Sequence, residues 1–333
     1  MMDKSRIVSG IKPSGELTLG NYVGAISNWV NFQDEYDCFY FIADLHAITV
    51  AQEPKELRKN TLEILALYIA CGLDPEKVTL FIQSHISAHV ELGWTLNTMS
   101  YLGELNRMTQ FKDKSRKGEQ NLNAGLYTYP TLMASDILLY QADEVPVGED
   151  QKQHVELTRN LAQRFNNRYS ETFKVPEPFI PKSGARIMSL QDPNSKMSKS
   201  SYNENGYILL KDEPNVIRRK IKRAVTDSIG VVAYNDEQLA VKNLLTIYSV
   251  MSGKSIEAIV EMYDGKGYGD FKSDLAEVVV AKLEPIQQKF KELMADKTYL
   301  EEVYSEGAKK ASKVAYKTLN KVYKKVGFIP RKF

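Results

Sequence analysis

A chain of 333 residues, 43% hydrophobic and 26% charged, can bury one large core and a smaller companion, which excludes a disordered or fibrous protein. A formal charge of only +2 excludes nucleic-acid binding by bulk charge alone. Cys38 and Cys71 lie far apart in apolar stretches without a CxxC spacing, so they read as buried thiols. The opening MMDKSRIVSG has no apolar leader segment, and no apolar run approaches the ~18 residues of a membrane span. The expected setting is the cytoplasm.

In chain order, short apolar or β-branched runs predict strands at 6–9, 38–44, 78–83 and 144–147. Helical spacing fills the intervals, with Val23, Ile26 and Val30 in the first and Leu57, Leu65 and Tyr68 in the second. An amphipathic helix over 153–165 follows the fourth strand. Strands separated by helices imply an α/β, Rossmann-like parallel sheet covered on both faces, with ligands at the carboxyl ends of the strands. Pro176, Pro178 and Pro181 break the pattern at 175–184, where neither a helix nor a central strand can run. Beyond a polar loop at 192–206 the pattern is mainly helical, and 308–326 reads as a helix ended by Gly327 and Pro330. The expected division is a Rossmann-like domain over 1–188, a smaller all-helical domain over 189–290, and C-terminal helices over 291–333 packing back on the body.

Three segments carry groups suited to a nucleotide. Lys196-Met197-Ser198-Lys199-Ser200 sets two ammoniums around small hydroxyls on a loop, which suits a polyphosphate. The bland alternative is a solvated basic loop. This pentapeptide, however, is a signature of class I aminoacyl-tRNA synthetases, and a five-residue match arises by chance at ~10⁻⁴ in such a chain. Pro13-Ser14-Gly15 and Thr18-Leu19-Gly20-Asn21 lie where the first strand hands over to the first helix. Gly20 permits close approach of a ligand, and amides at the helix start favour an anion, although a tight connection alone would look the same. The third segment, Val147-Gly148-Glu149-Asp150-Gln151-Lys152-Gln153-His154, follows the fourth strand, where such a sheet presents groups to a ribose.

A fourth segment suits an aromatic ring. In the apolar helix around Tyr129–Tyr140, Tyr129, Met133 and Asp136 stand at i, i+4 and i+7, on one face. An aromatic, a thioether and a single acceptor fit a ring that carries one donor, as indole does. The alternative is an aspartate facing solvent from mid-helix.

Together with Asp44-Leu45-His46-Ala47-Ile48-Thr49 and Met108-Thr109-Gln110-Phe111-Lys112, these segments make the chain resemble the bacterial-type tryptophanyl-tRNA synthetases of class I. The resemblance runs from about residue 7 onward and is densest over 101–200. It implies that Lys12, Pro13, Ser14, Gly20 and Asn21 meet ATP, with Gly148, Glu149 and Asp150 at the nucleoside and Ile187 at the adenine. Lys196, Met197, Ser198, Lys199 and Ser200 would hold the pyrophosphate, and Lys114, Lys196 and Lys199 would be the catalytic cations. Tyr129, Met133, Asp136, Gln151 and His46 would bind tryptophan. The implied substrates are ATP with Mg²⁺, L-tryptophan and tRNA(Trp). The implied assembly is a homodimer, to which apolar segments around 90–140 would contribute. The chain departs from the family's usual pattern at Lys12 and Leu45, where glutamine is common, and at Ser201, where an acidic residue is common.

Other features have competing readings. His85 and His89 are four apart, but neither an HExxH arrangement nor a third ligand accompanies them, so no metal site is expected. Lys313, Lys317, Lys321 and Lys325 step by four along the last helix, and Arg218, Arg219, Lys220, Lys222 and Arg223 cluster in the helical region. Either stripe can track tRNA phosphates or form a solvated face. Two rival functions remain: a tyrosyl-type synthetase, which would need a second polar partner for the phenol, and a non-catalytic paralogue, which would lack the phosphate-handling groups that are present here.

Overall fold

Five parallel strands, β1 (Arg6–Ile11), β2 (Asp37–Ile42), β3 (Thr79–Ile82), β4 (Glu144–Pro146) and β5 (Glu177–Phe179), form one sheet in the order β3-β2-β1-β4-β5. The computed structural model describes residues 4–109, 123–148, 151–179, 186–199 and 202–330. All four expected strands are present, with β2 stopping at Ile42 so that Asp44 opens a helical turn instead. The fifth was not expected, because it contains Pro178. As the outermost strand it pairs, among the described residues, only with β4, Val145 opposite Pro178, so the missing N–H interrupts no second ladder there.

Helices alternate with the strands: α1 over 19–32, α2 (Asp44–Ala47), α3 (Pro54–Ala70), α4 (Ala88–Asn97), α5 (Leu102–Leu105), α6 (Ala124–Leu138) and α7 (Lys152–Arg168). A π turn, Tyr22–Ile26, interrupts α1. Because strand side chains alternate, Ile7, Tyr40, Ile42 and Leu80 join one buried cluster with α1 and α3. Val8, Phe39, Phe41 and Phe81 join another with α4, α6 and α7. Beyond β5 come α8 (Pro214–Lys222), α9 (Leu239–Ser252), α10 (Ile256–Met262), α11 (Tyr268–Ala295) and α12 (Lys297–Val326). Ile187, Leu190, Met197, Ile208 and Leu210 carry the first cluster without a break into α8–α11.

The last helix lies along the open edge of β3. Gly307 sits so close to that strand that a Cβ on it would fall 1.7 Å from the Leu80 carbonyl oxygen. One end of α12 buries Leu300 and Val303 in the first cluster, and the other buries Ala311, Ala315, Leu319 and Val322 in the second. The C-terminal helix therefore packs back on the body as expected, with Val326 half-buried at its end.

Candidate active site

The strand order reverses between β1 and β4, which opens a crevice at their carboxyl ends. The chain leaves β1 into the Pro13–Asn21 segment. Thr18 caps α1, its hydroxyl accepting from the Asn21 amide at 3.3 Å, while Asn21 Oδ1 accepts from the Thr18 N–H at 2.9 Å. The side-chain oxygen of Asn21, expected at ATP, is thus engaged in a helix cap. Main-chain bonds from Leu19 to Ile208 (2.8 Å) and from Leu210 to Leu17 (2.9 Å) stitch this turn to the segment that follows the pentapeptide.

The pentapeptide rises from a narrow hairpin. Met188 bridges Lys196, Ser189 N–H donates to Ser195 O at 2.8 Å, and Met197 N–H donates to Ile187 O at 3.0 Å. From α9, buried Asn243 brackets Met188 as a further strand would, accepting its N–H at 2.9 Å and donating to its carbonyl at 3.0 Å. Lys199 reaches across to the Ser14 carbonyl. Gly15 has φ +120, and any Cβ there would strike the Lys199 ammonium. It is the positive φ that calls for glycine at Gly15; Gly20 lies against Met197, where a Cβ would be 3.4 Å from its side chain. Partial burial lowers the Lys199 pKa, opposed by the charge of Glu16. Beside these groups lies a polar cleft of about 480 Å³, in which Lys211 joins Glu16 and Glu63 at 2.8 Å each.

At the ends of β2 and β3 the structure builds a second, drier site. Asp136, 2% exposed, accepts from His46 Nε2 on Oδ2 (2.8 Å) and from Gln83 Nε2 and His89 Nδ1 on Oδ1 (2.7 Å each). The solvent-facing alternative falls, and so does the picture of a solitary carboxylate. Burial raises its pKa, but the hydrogen bonds and charges of His46 and His89 outweigh this, holding the carboxyl below the ordinary aspartate value. Tyr129 lies edge-on to His46, ring centroids 6.1 Å apart, and its hydroxyl lies 2.6 Å from His154 Nε2. Tyr129 and Met133 are half-buried on the same face of α6 as Asp136.

The remaining expected residues distribute as follows. Lys12 and Ser14 are exposed around buried Pro13, and Ile187 is buried beneath the hairpin. Lys196 is exposed, Met197 buried, and Ser198 half-buried. Gly148 follows β4, its carbonyl accepting from Gln151 N–H at 2.9 Å. Lys114, Glu149, Asp150 and Ser200 lie outside the described residues. Leu45 takes part through its main chain, its N–H donating to Gln83 Oε1 at 3.2 Å.

His85 and His89 part company: His85 packs edge-on to Tyr304, while His89 turns inward to Asp136. The helical basic cluster is partly spent on structure. Lys220 is buried on Asp212 at 2.7 Å, and Arg218 holds Glu277 through two bonds of 2.6 and 2.8 Å. Arg219, Lys222 and Arg223 remain exposed.

Sequence reasoning missed Gln83 and Asn243, and it weighed His89 only as a metal ligand. The available signal for Gln83 was its place directly after the buried strand Thr79–Ile82, at the carboxyl end where ligands bind.

The chain belongs to the class I tRNA synthetases: the family described as tRNA synthetases class I (W and Y) matches residues 2–284. A tryptophan–tRNA ligase of Clostridium tetani is 63% identical over 327 residues, covering 98% of this chain and 97% of that relative. A solved tryptophanyl-tRNA synthetase from Mycoplasma pneumoniae matches with TM-score 0.92 at 39% identity, over 98% of each chain. Another from Campylobacter jejuni, complexed with ADP and tryptophan, gives TM-score 0.83 at 36% identity, over 97% of this chain and 100% of that one. Within the family, this chain is of the bacterial tryptophanyl type.

Proposed function

We propose that the chain is a tryptophan–tRNA ligase in which Asp136 receives the indole N–H and the lysines of the pentapeptide handle the phosphates. The observation that carries this is the buried, ionised Asp136, set among Tyr129, Met133 and His46 at the strand ends. A carboxylate acceptor suits indole nitrogen, which can only donate. A phenol must also accept, and the donors around Asp136 are already spent on its carboxylate.

In the first step a tryptophan carboxylate oxygen attacks the α-phosphorus of ATP, the bond to the β-phosphate bridge breaks, and pyrophosphate leaves. In the second the 2′-hydroxyl of the terminal tRNA adenosine attacks the activated carbonyl and AMP departs. No protein nucleophile is required. Catalysis comes from alignment and from Lys196 and Lys199 offsetting charge on the leaving group, with Lys114 assisting. The side chains described at this edge, lysines and hydroxyls, suit the phosphates of a magnesium–ATP complex, with Mg²⁺ held by phosphate oxygens and water. Gln151 would border the amino acid, while Gly148, Glu149, Asp150 and Ile187 would contact the nucleoside.

The exposed Lys313, Lys317 and Lys321 support a path for tRNA phosphates along α12. Exposed Val90 and Trp94 on α4, and Tyr101 and Leu102 at the start of α5, support a homodimer contact. No described helix is long and apolar enough to cross a membrane, and a cytoplasmic setting is part of this reading. In ATP–pyrophosphate exchange, tryptophan should support the reaction and tyrosine should not. Equal exchange with both would overturn the substrate assignment.

A further inference from the structure

We propose that Gln83, His89 and Tyr140 are positioning residues that set amino-acid selectivity, by fixing every proton around Asp136 so that its carboxylate offers a ligand one acceptor position and no donor. This rests on the reading of Asp136 as the indole partner. A carboxylate has about four acceptor positions. Gln83 and His89 fill both on Oδ1, at 2.7 Å each, and His46 fills one on Oδ2 at 2.8 Å. One position on Oδ2 remains. His46, the partner on that oxygen, is 8% exposed, whereas Gln83 and His89 on Oδ1 are fully enclosed.

The proton order follows from the outer partners. The Asp136 carboxylate can only accept, so Gln83 must present Nε2 to it, and Gln83 Oε1 accepts from the Leu45 N–H at 3.2 Å, a donor it shares with Asp44 Oδ1 at 3.0 Å. Tyr140 Oη lies 2.8 Å from His89 Nε2. Burial pushes the Tyr140 hydroxyl well above its ordinary pKa, so it keeps its proton and donates it to that nitrogen. Because the Asp136 carboxylate can only accept, His89 carries a proton on Nδ1, directed at Asp136 Oδ1. Neither donor can turn toward a ligand without breaking a buried bond behind it. A ring N–H completes the carboxylate; a phenol oxygen finds nothing to accept from.

The test compares kcat/KM for L-tryptophan with that for its isostere carrying ring sulfur in place of N–H, in ATP–pyrophosphate exchange. Tyr140→Phe and His89→Leu should each lower the ratio about tenfold, through a raised KM for tryptophan, with the sulfur analogue almost unaffected. His89→Asn, whose amide can donate from about the Nδ1 position, should restore most of it. If His89→Leu does not fold, Tyr140→Phe and His89→Asn decide. A parental ratio in Tyr140→Phe, or a His89→Asn ratio as low as the leucine variant's, overturns the proposal. Asp136→Asn separates the two levels. A ratio unchanged there removes the indole reading itself, whereas a ratio lost there but kept in Tyr140→Phe and His89→Leu removes only this inference.

Discussion

The amino-acid pocket and the phosphate edge lie at the same ends of one sheet, yet they are built differently. Around Asp136 every partner is a buried side chain on or beside a rigid element, and three of its acceptor positions are filled before a substrate arrives. At the phosphate edge, a turn and a hairpin are held mainly by main-chain bonds, with Lys196 exposed and Lys199 reaching over the turn. The contrast matches the tasks. Telling one ring from another needs acceptors and donors that cannot relax, whereas diphosphate must be gripped and then released.

This comparison can be broken in three places. The largest effect is expected from Lys199→Ala: single-turnover adenylate formation should fall about 10²- to 10³-fold while equilibrium tryptophan binding stays near parental. Undiminished adenylate formation would remove the role assigned to that ammonium. Asn243→Ala should be milder. Losing both bonds to Met188 leaves buried main-chain groups unpaired, lowering stability by about 1–3 kcal/mol and slowing activation about tenfold. If urea denaturation shows the loss but tryptophan affinity drops as far as the rate, the two regions are one mechanical unit and the contrast fails. The smallest effect concerns acid. Because the Asp136 carboxyl is held below the ordinary aspartate value, its ionised form is lost only as pH falls through that lowered value. Selectivity for tryptophan over the sulfur isostere should therefore hold from about pH 7 to about pH 5. A steep fall across that window would show that Asp136 is not the charged acceptor.

Local pattern carried much of this architecture. The strands around Ile7, Phe39, Leu80 and Val145 were legible from apolar runs, and the shared face of Tyr129, Met133 and Asp136 from helical spacing. What escaped depends on distance along the chain. Gln83 and His89 stand 53 and 47 positions from the carboxylate they orient, and no periodicity links them. Asn243 acts on Met188 across 55 positions. Charge was misleading for a related reason: Arg218 and Lys220 read as a surface patch because Glu277 and Asp212 meet them only after folding. Strand β5 was hidden by Pro178, whose local prohibition is lifted at a sheet margin.

The seating of Gly307 on Leu80 has a consequence for biogenesis. The contact belongs to a seam that also joins Tyr323 to Glu91, 232 positions apart, so the margin of the sheet stays bare until the helix that carries Gly307 and Tyr323 has been made. During that interval the Thr79–Ile82 ribbon offers unsatisfied amides and carbonyls to any neighbouring nascent chain. Damage to the final helix should therefore yield clumped, insoluble product in the cell rather than a shorter working enzyme.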